Sequence, residues 1–149
     1  MNLKENIYLL YKTLLQEKIT HMQQTLQDLG NSAANETKST AGDKHETALA
    51  MLQLEQENKR KQLNDLLQQQ ATLLKIDPAV VAPYVLNGSL VTTDQGYFFI
   101  SVGLGKIEYK QKTIFALSPQ APLGQKLMNR HAGESIELNG RHYNIIAVE

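Results

Sequence analysis

The chain has no cysteine, no tryptophan and no proline before Pro78. Without cysteine there is no disulfide framework and no thiolate chemistry, which fits a reducing compartment. There is no surplus of either charge. Lys and Arg together number 15, as do Asp and Glu, for a formal net charge of zero over 149 residues. That argues against a general nucleic-acid binder, which needs a basic surplus, although charge can still be split along the chain. No window approaches the ~20 apolar residues of a membrane span. The opening MNLKENIYLL carries Lys4 and Glu5 where a signal peptide would be uninterrupted and apolar. The expectation is a soluble, cytoplasmic protein with no membrane partner.

What is present changes character near residue 76. Before it Gln, Leu, Lys, Glu and Asn dominate, and glycine occurs only at Gly30 and Gly42. All four prolines and the other seven glycines come later. The shift predicts two domains, a helical one over 1–75 and a strand-rich one over 76–149. In the first, Leu3, Ile7, Leu10 and Leu14 step by three and four, then the row slips to Leu15, Ile19, Met22, Leu26 and Leu29. A second row runs Leu49, Leu52, Gln56, Lys59, Leu63, Leu66, Gln70 and Leu73 without a slip. Its partly polar seam fits an exposed antiparallel two-helix hairpin better than a thick bundle. Each helix is expected to hold roughly 28 residues and to be about 40 Å long. Gly30-Asn31-Ser32 can end the first helix, or the helix can run on and turn at Ser39 to Gly42. The row pattern alone fits a coiled-coil adaptor as well.

The second half reads as a small α+β domain, an antiparallel sheet with one helix packed on it. Asn87-Gly88 precedes SLVTTD, Asp94-Gln95-Gly96 precedes YFFISV, and Gly103 and Gly105 bracket a turn. Strands follow over Ile107–Tyr109 and Thr113–Leu117, and Asn139-Gly140 joins Ile136–Leu138 to His142–Val148 as a two-residue hairpin. Pro122 opens the helix, Leu123, Leu127 and Met128 give it an apolar face, and Gly133 lies beyond its end. Lys106, Lys110 and Lys112 alternate along a hairpin and are expected to share a solvated face.

Between the two helical rows, Asp43 and Glu46 stand three apart directly after Gly42. Two chemistries need that spacing. A capping box would have the Asp43 side chain accept from the Glu46 N–H while Glu46 reaches back to the Asp43 N–H. Alternatively, residues three apart on a helix share a face, and paired carboxylates offer the hard oxygen ligands that suit Mg²⁺. Two carboxylates do not complete a cage, so the ion would be shared with a partner. Such an ion lowers the pKa of bound water and generates a nucleophile for phosphodiester hydrolysis. Glu36, on the other side of the turn, would add charge.

This order, a helical hairpin with G-D-x-x-E at its turn and then a compact sheet-and-helix domain, resembles the bacterial transcript-cleavage factors GreA and GreB. In that family the turn reads G-D-L-K-E-N-A-E-Y. Here it reads Gly42-Asp43-Lys44-His45-Glu46-Thr47-Ala48-Leu49-Ala50, matching at Gly42, Asp43, Glu46 and Ala48. The C-terminal half looks like the family's FKBP-like domain through Ser118-Pro119, the segment Pro122 to Met128, Gly133-Glu134 and the closing strands Ile136 to Val148. The resemblance covers nearly the whole chain. It implies a transcription elongation factor that binds RNA polymerase and meets the nascent RNA only indirectly. The hairpin would enter the secondary channel, with the globular domain at the channel's outer rim. Asp43 and Glu46 would help hold the second Mg²⁺ and position water against backtracked RNA. The polymerase would remain the catalyst, so the factor is not itself an enzyme, and a monomer is expected. The chain departs from the family at Thr47, Leu49 and Ala50, and Lys38 and Ser39 stand where a basic residue usually precedes the turn. A regulator that occupies the channel without promoting cleavage therefore stays open beside the cleavage factor.

Other residues offer less. His21, His45, His131 and His142 lack zinc-ligand spacing, and no cysteine supports them. Ser118-Pro119 has no His–Asp partner pattern and reads as a turn. Lys59-Arg60-Lys61 reads as solvent-facing. An FKBP-like fold invites a prolyl isomerase reading, but Tyr97, Phe98, Phe99, Phe115 and Tyr143 are few enough to be spent on the core.

Overall fold

The computed structural model describes residues 2–37 and 43–149, with only the backbone of residues 36, 37 and 43–45. The elements are helices α1 (Leu3–Thr37) and α2 (Asp43–Leu74), strands β1 (Leu90–Thr93), β2 (Gly96–Ile100), β3 (Gly105–Tyr109) and β4 (Lys112–Leu117), helix α3 (Pro122–Leu127), and strands β5 (Ser135–Leu138) and β6 (Arg141–Val148). The fold is α+β, a helical hairpin followed by a sheet with a short helix. The chain divides into two compact units, one comprising 14–70 and the other 1–13 with 71–149.

The unit 14–70 is the antiparallel pairing of α1 with α2. Gln70 Nε2 donates to Gln16 Oε1 at 2.9 Å, and Gly30 faces Gln56 Nε2. Both partners advance by fourteen residues between these contacts, in opposite directions, as a fixed antiparallel register requires. All eight residues of the second row, Leu49 through Leu73, are half-buried or buried, while most of their α2 neighbours are exposed. The first row is corrected. Leu10 is 39% exposed, and the buried positions are Ile7, Tyr8, Tyr11, Leu15 and Ile19, continued by the half-buried Met22, Leu26 and Leu29. Counting Tyr11 as a row member removes the slip. The helices are also longer than expected, at 35 and 32 residues. Gly30-Asn31-Ser32 does not stop α1. A helical glycine costs about 1 kcal/mol, which tertiary pairing overrides.

The other unit is a six-stranded sheet in the order β3-β4-β2-β1-β6-β5. Neighbours are antiparallel except β2 and β4, which run parallel. The loop 101–104 carries the chain past one strand position to β3 at the edge, and β4 then returns between β3 and β2. β2 is buried on both sides, which explains its continuous apolar run. Phe99 faces the N-terminal turns of α1, its ring 6.0 Å from Tyr11 and 6.4 Å from Tyr8. Tyr11 Oη donates to Gly105 O at 2.8 Å, and burial raises its pKa. The opposite face gathers Val91, Phe98, Ile100, Tyr143 and Ile145 with Leu127 of α3 and Ile136 of β5. Lys4 Nζ is buried and donates to Val80 O at 2.6 Å, and burial pushes its pKa down.

Three local features follow from single residues. Asn2 Oδ1 accepts from Glu5 N at 2.9 Å, the capping half of an Asn-x-x-Glu pattern at the start of α1. Gly124 packs α3 against the Ser118-Pro119 turn so closely that a Cβ there would lie 2.1 Å from Ser118 O. The three lysines of the β3–β4 hairpin do not share a face. Lys110 and Gln111 form the turn, both with positive φ (47° and 65°). The pairings Lys106↔Phe115 and Tyr109↔Lys112 then set Lys106 and Lys112 on opposite faces.

Candidate functional site

The residues expected to carry function lie where α1 gives way to α2. α1 continues through Glu36 to Thr37, and α2 begins at Asp43. Asp43 and Glu46 are thus both in the first turn of one helix, three apart, where backbone geometry makes them neighbours on one side. That turn also carries the positive end of the helix dipole, which favours carboxylates. Glu46 is exposed. Lys38, Ser39 and Gly42, and the side chains of Glu36, Asp43 and His45, lie outside the described residues. So does any capping bond between Asp43 and Glu46. The equivalent bond is formed at α1 by Asn2 and Glu5, so the pattern is one this chain uses.

The donor set limits what the turn can hold. Among the described residues no group of three or more His, Cys, Asp or Glu is placed to bind a metal ion. Two carboxylates fit Mg²⁺ only as contributors to a site completed elsewhere, because the ion takes six oxygens in a near-octahedral shell. Leu49, one turn beyond Glu46, is half-buried in the seam between the helices. The position therefore serves packing and does not present a polar group to the turn.

A second feature was not anticipated from the sequence. On the α3 side of the sheet, Phe98, Phe115, Leu117, Leu123 and Tyr143 line a recess of about 240 Å³ with Gln95 and Arg141. The Phe98 and Phe115 rings stack at 5.5 Å, and Tyr143 meets Phe98 edge-on at 5.7 Å. The sequence alone places these aromatics in the core. Phe98 and Tyr143 are buried, but Phe115 is only half-buried. The signal lay in alternation: Phe98 and Ile100, Phe115 and Leu117, and Tyr143 and Ile145 put every second residue of β2, β4 and β6 on one face. Their convergence needs the strand order, which the sequence pattern does not contain.

No family model matches the chain. No curated protein matches it either. Among solved structures it is similar to that of the transcription factor Gfh1, at 12% identity over 92% of both chains with a TM-score of 0.37. Among the described residues no helix is long and apolar enough to cross a membrane.

Proposed function

We propose that this chain is a transcription elongation factor that binds RNA polymerase, with the α1–α2 hairpin entering the secondary channel. The observation that carries the reading is the opening of α2 at Asp43, with an exposed Glu46 in the same turn, at the junction of two long helices that pair within the chain. That intramolecular pairing argues against the coiled-coil adaptor, whose helices would be engaged with another chain. Asp43 and Glu46 would hold, by their carboxylate oxygens, a Mg²⁺ ion whose remaining ligands the polymerase provides. A bound ion there would supply a water of lowered pKa as the nucleophile for phosphodiester hydrolysis. The two side chains would contribute negative charge and hydrogen-bond acceptors at that position, with the polymerase as the catalyst.

One observation favours a second reading within the same class. Leu49 lies in the helix seam, and Thr47 and Ala50 replace the family's polar and aromatic residues, so groups that would orient metal and water are fewer. In this reading the protein occupies the channel without promoting cleavage. A pull-down with purified RNA polymerase, followed by cleavage of a stalled, backtracked complex, separates the two. Cleavage stimulated by the parent and lost in Asp43→Asn and Glu46→Gln, with binding kept, establishes the first. Binding without stimulated cleavage establishes the second. No binding removes both.

A further inference from the structure

The sheet ends in an open edge whose side chains complement their own pattern. β3 is the terminal strand of the order β3-β4-β2-β1-β6-β5 and pairs with β4 alone. It reads Gly105-Lys106-Ile107-Glu108-Tyr109. The turn Lys110-Gln111, with both φ positive, closes a two-residue hairpin on the pair Tyr109↔Lys112. In such a hairpin the closing pair exchanges both backbone bonds, and bonded and unbonded pairs then alternate along the ladder. Ile107 is therefore bonded to Ile114, while the N–H and C=O of Lys106 and Glu108 point away from β4. Among the described residues no group beyond the ladder bonds them. The opposite edge, β5, is different: α3 packs beside it, and Glu137 is its one charged residue.

An open edge invites pairing with another strand, and charged side chains ordinarily prevent it by setting like against like. On β3 the signs alternate instead. Lys106 and Glu108 are both exposed and stand two apart, so they project from one face. Lys106 has no ion-pair or hydrogen-bond partner among the described residues. Glu108 accepts from the neutral Thr113 hydroxyl, at 2.9 and 3.1 Å, and has no cation as partner. The outward N–H and C=O groups let two copies of this edge meet antiparallel about Lys106, Ile107 or Glu108. Centring on Lys106 sets two lysines opposite each other, and centring on Glu108 sets two glutamates, both unfavourable. Centring on Ile107 sets Lys106 of each copy opposite Glu108 of the other, and these become the hydrogen-bonded pairs of the new ladder. The half-buried Ile107 side chains then meet in the closely spaced pair between them. Tyr109 falls opposite Gly105, where a Cβ would have nothing within 4 Å, so an aromatic ring fills the space that the glycine leaves. Lys110 lies over its own Tyr109 ring, 5.3 Å from the centroid, outside the paired span.

We propose that β3 is the contact of a two-fold homodimer, in which the edges of two copies pair antiparallel about Ile107 and join their six-stranded sheets into one. The two-fold makes one alternating strand sufficient, because every cross-pair occurs twice. With 5 residues a side the contact is smaller than a standard interface, so the dimer is weak, with a dissociation constant on the order of 0.1 mM. The inference concerns the sheet-bearing unit and does not rest on the polymerase reading.

Sedimentation equilibrium of the full chain, from about 10 μM to about 1 mM, measures the association. The parent is expected to pass from monomer to dimer over that range. Lys106→Glu and Glu108→Lys each set like charges opposite in the dimer, and each should weaken association at least about tenfold. Mixed in equal amounts, the two single variants should form a heterodimer, since every charged cross-pair is then unlike. The chain carrying both changes should dimerise as the parent does. These two rescues separate a broken contact from a broken fold. Amide exchange locates the contact: Lys106 and Glu108 N–H should exchange several-fold more slowly at about 1 mM than at about 0.05 mM, and Ile107 N–H, already bonded to β4, should not change. A parent that stays monomeric at the highest concentration would leave the edge to an extended segment of another protein, or to none, and would overturn the proposal. So would single variants that dimerise like the parent, failure of either rescue, or slowed exchange at residues other than these.

Discussion

Two buried hydroxyls show how opposite the consequences of one atom can be. Tyr11 Oη is enclosed and donates to Gly105 O at 2.8 Å, with Ile114 O at 3.2 Å, so its one proton lies between two carbonyls of the sheet. Ser101 Oγ is also buried and has no partner among the described residues. Removing a donor leaves a buried acceptor unsatisfied, whereas removing an unpaired hydroxyl relieves a desolvation cost. Tyr11→Phe is therefore expected to lose about 1–2 kcal/mol of stability, and Ser101→Ala to be neutral or to gain up to about 1 kcal/mol. Urea denaturation of the two variants beside the parent measures both. Equal losses would mean that the Tyr11 bonds contribute nothing. At this scale the sequence was least legible. Tyr8, Tyr11 and Lys4 form buried rows of α1, yet an aliphatic-only reading passes over two aromatics and a lysine and finds a slip that is not there.

Elements were more legible where one physical rule dominated. The α2 row is a pure three-and-four pattern, and all eight of its positions are half-buried or buried, polar Gln56, Lys59 and Gln70 included. The Asn139-Gly140 turn is found where its chemistry demands, with φ of 52° and 79°. The hairpin turn at Lys110-Gln111 breaks the same rule, since neither residue favours positive φ, and the register it sets puts Lys106 and Lys112 on opposite faces where alternation in the sequence predicts one. The sequence does not fix the α1 terminus, because a glycine inside a helix and a glycine ending one look alike in it. Gly30 is inside, and a Cβ there meets only Gln56 Nε2 at an ordinary 3.7 Å. Gly30→Ala is thus expected to stabilise the hairpin by up to about 1 kcal/mol, read as a rise in the midpoint of its helix signal in urea. A second expectation concerns the β1–β2 turn. The Asp94 carboxylate accepts from Asn144 N and Nδ2, both at 2.8 Å, and the backbone donor foremost holds its pKa below the ordinary value. Glu134 is lowered in the same way by His131 N and Arg130. A carboxyl with a folded pKa below its unfolded one stabilises the fold above the unfolded value, and that contribution disappears as pH falls through the folded one. Melting temperature should therefore fall as pH drops below about 4, and Asp94→Asn should flatten that slope while lowering the plateau. An unchanged slope in Asp94→Asn would show that the Asn144 bonds are not linked to folding.

Across the whole chain, the two units carry different kinds of stability, and function asks different things of each. The sheet-bearing unit is covered on both faces of β2, with Phe99, Ile100 and Ile114 fully buried. The unit 14–70 rests on a single seam, with only Leu15 and Ile19 among its described residues buried and its middle carried by Gln56 and Lys59. The acidic turn was legible as a spacing, Asp43 to Glu46 after Gly42, because capping and ligation both work at that interval. The recess was not, because it is assembled from strands distant in sequence. Opening free energy tracks buried apolar contact, so backbone amides in the middle of α1 and α2 should exchange with protection factors on the order of a hundredfold below those of β2 and β4. If the hairpin enters a polymerase channel, the partner's walls supply the cover that the single seam does not. Hydrogen exchange with saturating RNA polymerase should then raise protection through residues 14–70, most of all near Glu46. Protection that rises only in the sheet-bearing unit would show that the polymerase, if it binds, leaves the hairpin in solvent, and the acidic turn would have no shared ion to complete.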